Sequence, residues 1–215
     1  MATHRLVAAS LILAVAATVV GGCGGGSSQP AAQSTGAVTG AAPNGTTGAG
    51  GSPGALAAEA QQTAAGDIPD NQVFLTFRDT AAGYTIKYPE GWAQRGSGRV
   101  VTFRDKNNVV RIAVITGGTA TRAQVVADLN RLKASTPTLR FSSPTTVALS
   151  GGPAVKALYT TTSAPDAVTG KRVTLTVDRY DVPGMGKHAV IDLGTPHGVD
   201  NIDAYRLMID SFRWT

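Results

Sequence analysis

Cysteine is almost absent from this chain: Cys23 is the only one in 215 residues, so no disulfide forms within a single chain and the fold must stand on its apolar core. Histidine is nearly as scarce, with only His4, His188 and His197. Charge is missing from the first third. All but Arg5 of the 19 Lys and Arg, and all but Glu59 of the 14 Asp and Glu, lie beyond residue 66, so the net charge of +5 belongs to the remainder. There the basic residues are interspersed along strand-like segments rather than gathered into a stripe with stacking aromatics, which argues against nucleic acid as a partner. That moderate charge fits an ordinary solvated surface, with weak attraction to anionic lipid heads or wall polymers as the alternative. No H-E-x-x-H, C-x-x-C, EF-hand, G-x-S-x-G, Walker or dinucleotide pattern occurs. Long apolar runs are also lacking. The longest, Leu6–Val20, would rise about 22 Å as a helix, short of the roughly 30 Å hydrocarbon core.

That run follows a short basic start, His4 and Arg5, and reads as an export signal rather than a spanning helix. Val20-Gly-Gly-Cys23 resembles a bacterial lipobox: an aliphatic residue three before the cysteine, then small residues, then Cys. The resemblance implies a signal peptide over 1–22 and a diacylglycerol on Cys23, with the chain held at the extracytoplasmic face of a bacterial cell membrane. Acyl chains gain roughly 0.8 kcal/mol per buried CH₂, so two or three anchor far more firmly than one. Residues 23–66 comprise the cysteine and a tract of Gly, Ala, Ser, Thr, Gln and Pro with no aromatic, Lys or Arg. Such a tract buries too little apolar surface to offset its chain entropy and is expected to be a disordered linker. Its root-mean-square reach is about 35 Å.

The remaining segment, 67–215, carries periodic signals. Val73–Arg78, Tyr84–Tyr88, Val100–Asp105 and Val109–Thr116 alternate as strands, the last two joined by a Lys106-Asn-Asn108 hairpin. Thr121-x-x-Gln124 is a capping-box signature opening a helix to about Ala134, with Val125, Val126, Leu129 and Leu132 on its inner face and Asp128, Arg131 and Lys133 outside. Strands return at Leu139–Leu149, Ala154–Ser163, Arg172–Val182 and Lys187–Leu193. Asp200 is then expected to cap a final helix with an apolar stripe of Ile202, Tyr205, Met208, Ile209 and Phe212. Strands, helix, strands, helix with short connections give an α+β fold, an antiparallel β-sheet with helices packed on it.

Gly83–Trp92, GYTIKYPEGW, together with VVTFRDKNNVVRIAVIT and the closing DSFRW, resembles PsbP-like domains, a group that includes LpqN-type actinobacterial lipoproteins. The resemblance implies an α/β/α sandwich about a central antiparallel sheet and a binding scaffold without a common catalytic site. No binding residue is carried over from it. Locally, Pro89 fixes φ, Gly91 supplies positive φ, and Tyr84, Tyr88 and Trp92 are expected in the core.

Catalytic chemistry has little to stand on. His188 opens a strand and is expected at or near the surface. His197 lies in the loop before the last helix, with Asp200 three residues on, so local bonding is the simpler account than a general base. Asp178, Asp181 and Asp192 sit on neighbouring strands and would have to converge to hold Ca²⁺, with solvated strand-edge acids the default. No catalytic, cofactor or metal residue is therefore assigned, and Cys23 stands alone as a modification site. The expected function is a noncatalytic, lipid-anchored module that binds an envelope protein. The alternatives are a small-molecule or lipid carrier with a pocket between layers and, behind it, an envelope hydrolase.

Overall fold

The computed structural model describes residues 65–215, apart from 119, 167 and 168, and the single positions 54, 58 and 61. All lie in the second of two units, Ala49–Thr215. Cys23, the signal segment and most of the linker lie outside the described residues. No helix among the described residues is long and apolar enough to cross a membrane.

The α+β class holds. The strands are β1 (Phe74–Asp79), β2 (Tyr84–Pro89), β3 (Ala93–Ser97), β4 (Val100–Asp105), β5 (Asn108–Thr116), β6 (Arg140–Phe141), β7 (Thr145–Leu149), β8 (Gly152–Thr162), β9 (Thr174–Gly184), β10 (Lys187–Pro196) and β11 (Arg213–Trp214). Helix α1 spans Arg122–Ser135 and α2 spans Ile202–Asp210. Eight strands form one sheet in the order β3-β4-β5-β10-β9-β8-β6, with β7 also on β8, while β1-β2-β11 form a second. Every strand pair is antiparallel.

Each face of the large sheet has its own core. On one face Val101, Phe103, Val110, Ile112, Ile191 and Leu193 meet the small sheet and Tyr205, Met208 and Ile209 of α2. On the other, Val155, Ala157, Tyr159, Leu175 and Val177 meet Val125 and Leu129 of α1. The layers are thus α1, the large sheet, then α2 with the small sheet. The expected sandwich is realised with three extra strands in its outer layer.

The Tyr-Pro-Glu-Gly-Trp turn behaves as its residues require. Gly91 has φ 87°, which a side chain would oppose. Tyr84 is fully buried and stacked on Phe212 at 5.6 Å, Tyr88 stacks on Phe103 at 4.3 Å, and Trp92 is buried. Gly184 is demanded by contact, since a Cβ there would lie 2.7 Å from the Trp214 indole. The Tyr84 hydroxyl is buried without a hydrogen-bond partner among the described residues. Burial, with the Asp79 carboxylate nearby, pushes its pKa above the ordinary tyrosine value. Removing an unpaired hydroxyl relieves its desolvation, so Tyr84→Phe is expected to stabilise the domain by about 1 kcal/mol in urea unfolding. A loss of stability would show that the hydroxyl is satisfied.

Several local expectations are corrected. The segment after Trp92, to which the sequence pattern assigns no element, is a strand, β3, and it is an exposed edge. The Thr121 hydroxyl does accept from the Gln124 N–H at 3.2 Å, but the Gln124 side chain turns to Asp128, so the box is not reciprocal. Asp128 does not face solvent; it reaches the sheet. Leu132 is exposed instead. The residue at the start of α2 is Asn201, while Asp200 accepts from the Ile202 N–H at 3.2 Å. Asn201 is buried and spends its amide elsewhere, donating to Gly66 O, Asn108 Oδ1 and Thr195 Oγ1 while accepting from the Ile68 N–H at 2.8 Å.

Candidate binding groove

Strand alternation sorts the polar residues of β9 onto two faces. Thr176, Asp178 and Tyr180 share the face of α2, whereas Arg179 and Asp181 share that of α1. Register carries the same division to β10, where Asp192 pairs with Arg179. Asp178 is therefore separated by the sheet from Asp181 and Asp192. Among the described residues no three His, Cys, Asp or Glu are placed to hold a metal.

On the α2 face β10 ends at Pro196, and the His197-Gly-Val-Asp loop swings into α2. Between this loop and strands β8 and β9 lies a half-open groove of about 550 Å³. Its lining includes Lys156, Leu158, Asp178, His197, Ile202 and Tyr205. Leu158 is 43% exposed and Ile202 62%. Both are apolar side chains left at the mouth rather than drawn into the core. Lys156 Nζ lies 3.2 Å from Asp178 Oδ1 and 5.2 Å from the centre of the Tyr180 ring. Burial works against the lysine's charge, but the Tyr180 hydroxyl and the Asp178 carboxylate outweigh it and hold its pKa above the ordinary lysine value. Tyr205, pushed up by burial, donates to Gly194 O at 2.7 Å and fixes the back wall.

His197 is exposed, and its Nδ1 lies 3.0 Å from Thr176 Oγ1. Asp200, its expected neighbour, bonds backbone instead. Among the described residues no carboxylate is hydrogen-bonded to the His197 ring, so the third member of a nucleophilic triad is not supplied. What the groove offers is an apolar lip, an ion pair and one imidazole, a set suited to recognition. His188 is buried rather than superficial, with Nδ1 3.3 Å from Gly117 O.

The α1 face carries a buried ionic cluster. Arg179 donates to Asp181 through Nε at 2.7 Å and through Nη2 at 3.0 Å, and its Nη2 also reaches Asp128 of α1 at 3.3 Å. Asp128 is further paired with Arg131. Arg111 lies 3.6 Å from Asp192. Burial pushes the Asp192 carboxyl above the ordinary carboxylate range, against the pull of Arg179 and Arg111. This cluster was not foreseen. Its one signal in sequence is the run Asp178-Arg-Tyr-Asp181, with two charges on the inward parity of an otherwise apolar strand.

No family model matches the chain, and no curated protein matches it. Among solved structures it is similar to cyanobacterial PsbP (CyanoP) from Synechocystis sp. PCC 6803, with 16% identity and a TM-score of 0.46, over 70% of this chain and 98% of that one. It is also similar to a protein from Bacteroides thetaiotaomicron VPI-5482, with 14% identity and a TM-score of 0.43, over 65% of this chain and 48% of that one. At these identities neither protein's function is carried over.

Proposed function

We propose that this chain is a lipoprotein held at the extracytoplasmic face of a bacterial membrane through Cys23, and that its domain is a noncatalytic module binding an envelope protein. The observation that favours a protein partner is the groove: half-open, with Leu158 and Ile202 exposed beside the Lys156–Asp178 pair. Apolar anchors flanked by polar groups suit a partner's side chain or segment. A lipid carrier would need space between its layers, and there the fully buried Tyr84, Phe103, Met208, Ile191 and Leu193 fill it.

The test is cross-linking in the native host from a photoreactive residue at position 202, followed by detergent extraction and mass spectrometry. One abundant envelope protein is expected, lost in Leu158→Asp with the fold intact by circular dichroism, and released from the membrane fraction with Cys23→Ala. Turnover of an envelope ester or glycan by the purified chain, abolished in His197→Ala, would replace this reading with the hydrolase. A small molecule retained in native mass spectra and lost in Leu158→Asp would replace it with the carrier.

A further inference from the structure

The half of the large sheet not covered by α1 presents a second surface. Residues directly opposite on paired strands share a face. Arg95 pairs with Thr102, and Thr102 with Arg111, so the two arginines stand in one row across β3, β4 and β5, about 10 Å apart at the strand spacing. Arg104, two residues beyond Thr102, lies on the same face, as do Val100, two residues before it, and Ile115, four beyond Arg111. Val100 and Ile115 are each 43% exposed. Arg95 and Arg104 are exposed and make no ion pair among the described residues. The acid on this face of β10, Asp192, is flanked by Arg111 and, through the register of β9, by Arg179. The edge half of the sheet is therefore a basic surface with two exposed apolar side chains on the same face as the guanidinium groups.

We infer that this face docks on the anionic headgroups of a lipid bilayer. The arginines are spread along and across three strands, an extended array that favours a charged surface over a pocket ligand. Guanidinium groups pair with phosphate in a bidentate fork, and each cation close to an anionic leaflet adds to the attraction. Val100 and Ile115 sit where they would enter the headgroup layer. The groove opens on the other face of the sheet, so docking leaves it free. The inference does not rest on the acyl group of Cys23, because the same face acts in a chain that lacks it.

The experiment is sedimentation of nonacylated residues 24–215 with vesicles of phosphatidylcholine alone or with about 40% phosphatidylglycerol, at low and high salt. Binding to the anionic vesicles only, falling steeply with salt, is expected. Arg95→Glu with Arg104→Glu should lower partitioning at least tenfold. The charge-matched double reversal of Lys171 and Arg206, exposed positions away from this face, should change it less than threefold. No binding to anionic vesicles, equal binding to neutral ones, or an equal loss in both double reversals overturns the inference. A basic face reserved for a protein would appear as the first of these. Failure here leaves the anchor at Cys23 to be judged by membrane release alone.

Discussion

Arg179→Leu is expected to lower the unfolding free energy by about 3–5 kcal/mol at neutral pH, because it strands buried carboxylates that the guanidinium now holds. Arg179 and Asp181 have side chains only 8% and 1% exposed, so water cannot take over the role. The effect should depend on pH. The Asp192 carboxyl is already pushed up by burial, which means the folded state binds its proton more tightly than the unfolded chain. Its contribution to stability is thus present below the ordinary carboxylate pKa and lost as pH rises through the folded value. Removing Arg179 takes away a cation that moderates this rise, so the penalty at neutral pH grows. As pH falls toward the ordinary carboxylate range the penalty should shrink, because protonation of Asp192 removes the charge that Arg179 moderates. Urea unfolding at neutral and acid pH measures this. A loss under about 1 kcal/mol at neutral pH would mean that the cluster is not the buried ionic unit described. Arg179→Met combined with Asp181→Leu should regain much of the loss, since an apolar pair often replaces a buried ion pair at little cost.

Phe103→Ala should cost about 3–5 kcal/mol in the same assay, for a different reason. Phe103 is fully buried on β4, yet its ring meets Phe77 of β1 edge-on at 5.3 Å and Tyr88 of β2 face-on at 4.3 Å. It therefore joins the two sheets. Truncation removes the transfer free energy of a large ring and two aromatic contacts, each worth about 0.5–1.5 kcal/mol beyond burial. Phe103→Leu fills most of the volume and should cost less than half as much. Equal costs would place the loss in strand geometry rather than in ring packing.

The strands were readable because alternation is a local signal. Alternation bounds Val100–Asp105 as the strand is observed, and it marks Arg172–Val182 as a strand whose Leu175 and Val177 enter one core. β3 escaped because Ala-Gln-Arg-Gly-Ser has no apolar alternation: an edge strand exposed along its whole length is held by backbone pairing to β4, which leaves no mark on side-chain type. Asp128 was turned outward by the helical wheel, and only the distant Arg179 explains why it is not. The groove was hidden for a related reason. Ile202 fitted the apolar stripe of α2 and was assigned to the core, whereas the helix starts at that residue and leaves it beyond the edge of the packed layer. What the sequence pattern conveys is which face is apolar, and it does not convey where the neighbouring layer stops.

The two cores on either side of the large sheet have a dynamic consequence. Helix α1 contributes two fully buried side chains, Val125 and Leu129, and is also tied to the sheet by Asp128 on Arg179. The other core, with its stacked rings, is closed by α2 and the small sheet and shares no buried side chain with α1. Lifting α1 therefore exposes Tyr159, Val177 and the ionic cluster while the second core stays shut. Amide hydrogen exchange is thus expected to be faster in α1 than in the strands of the second core, an opening on the opposite side of the sheet from the groove.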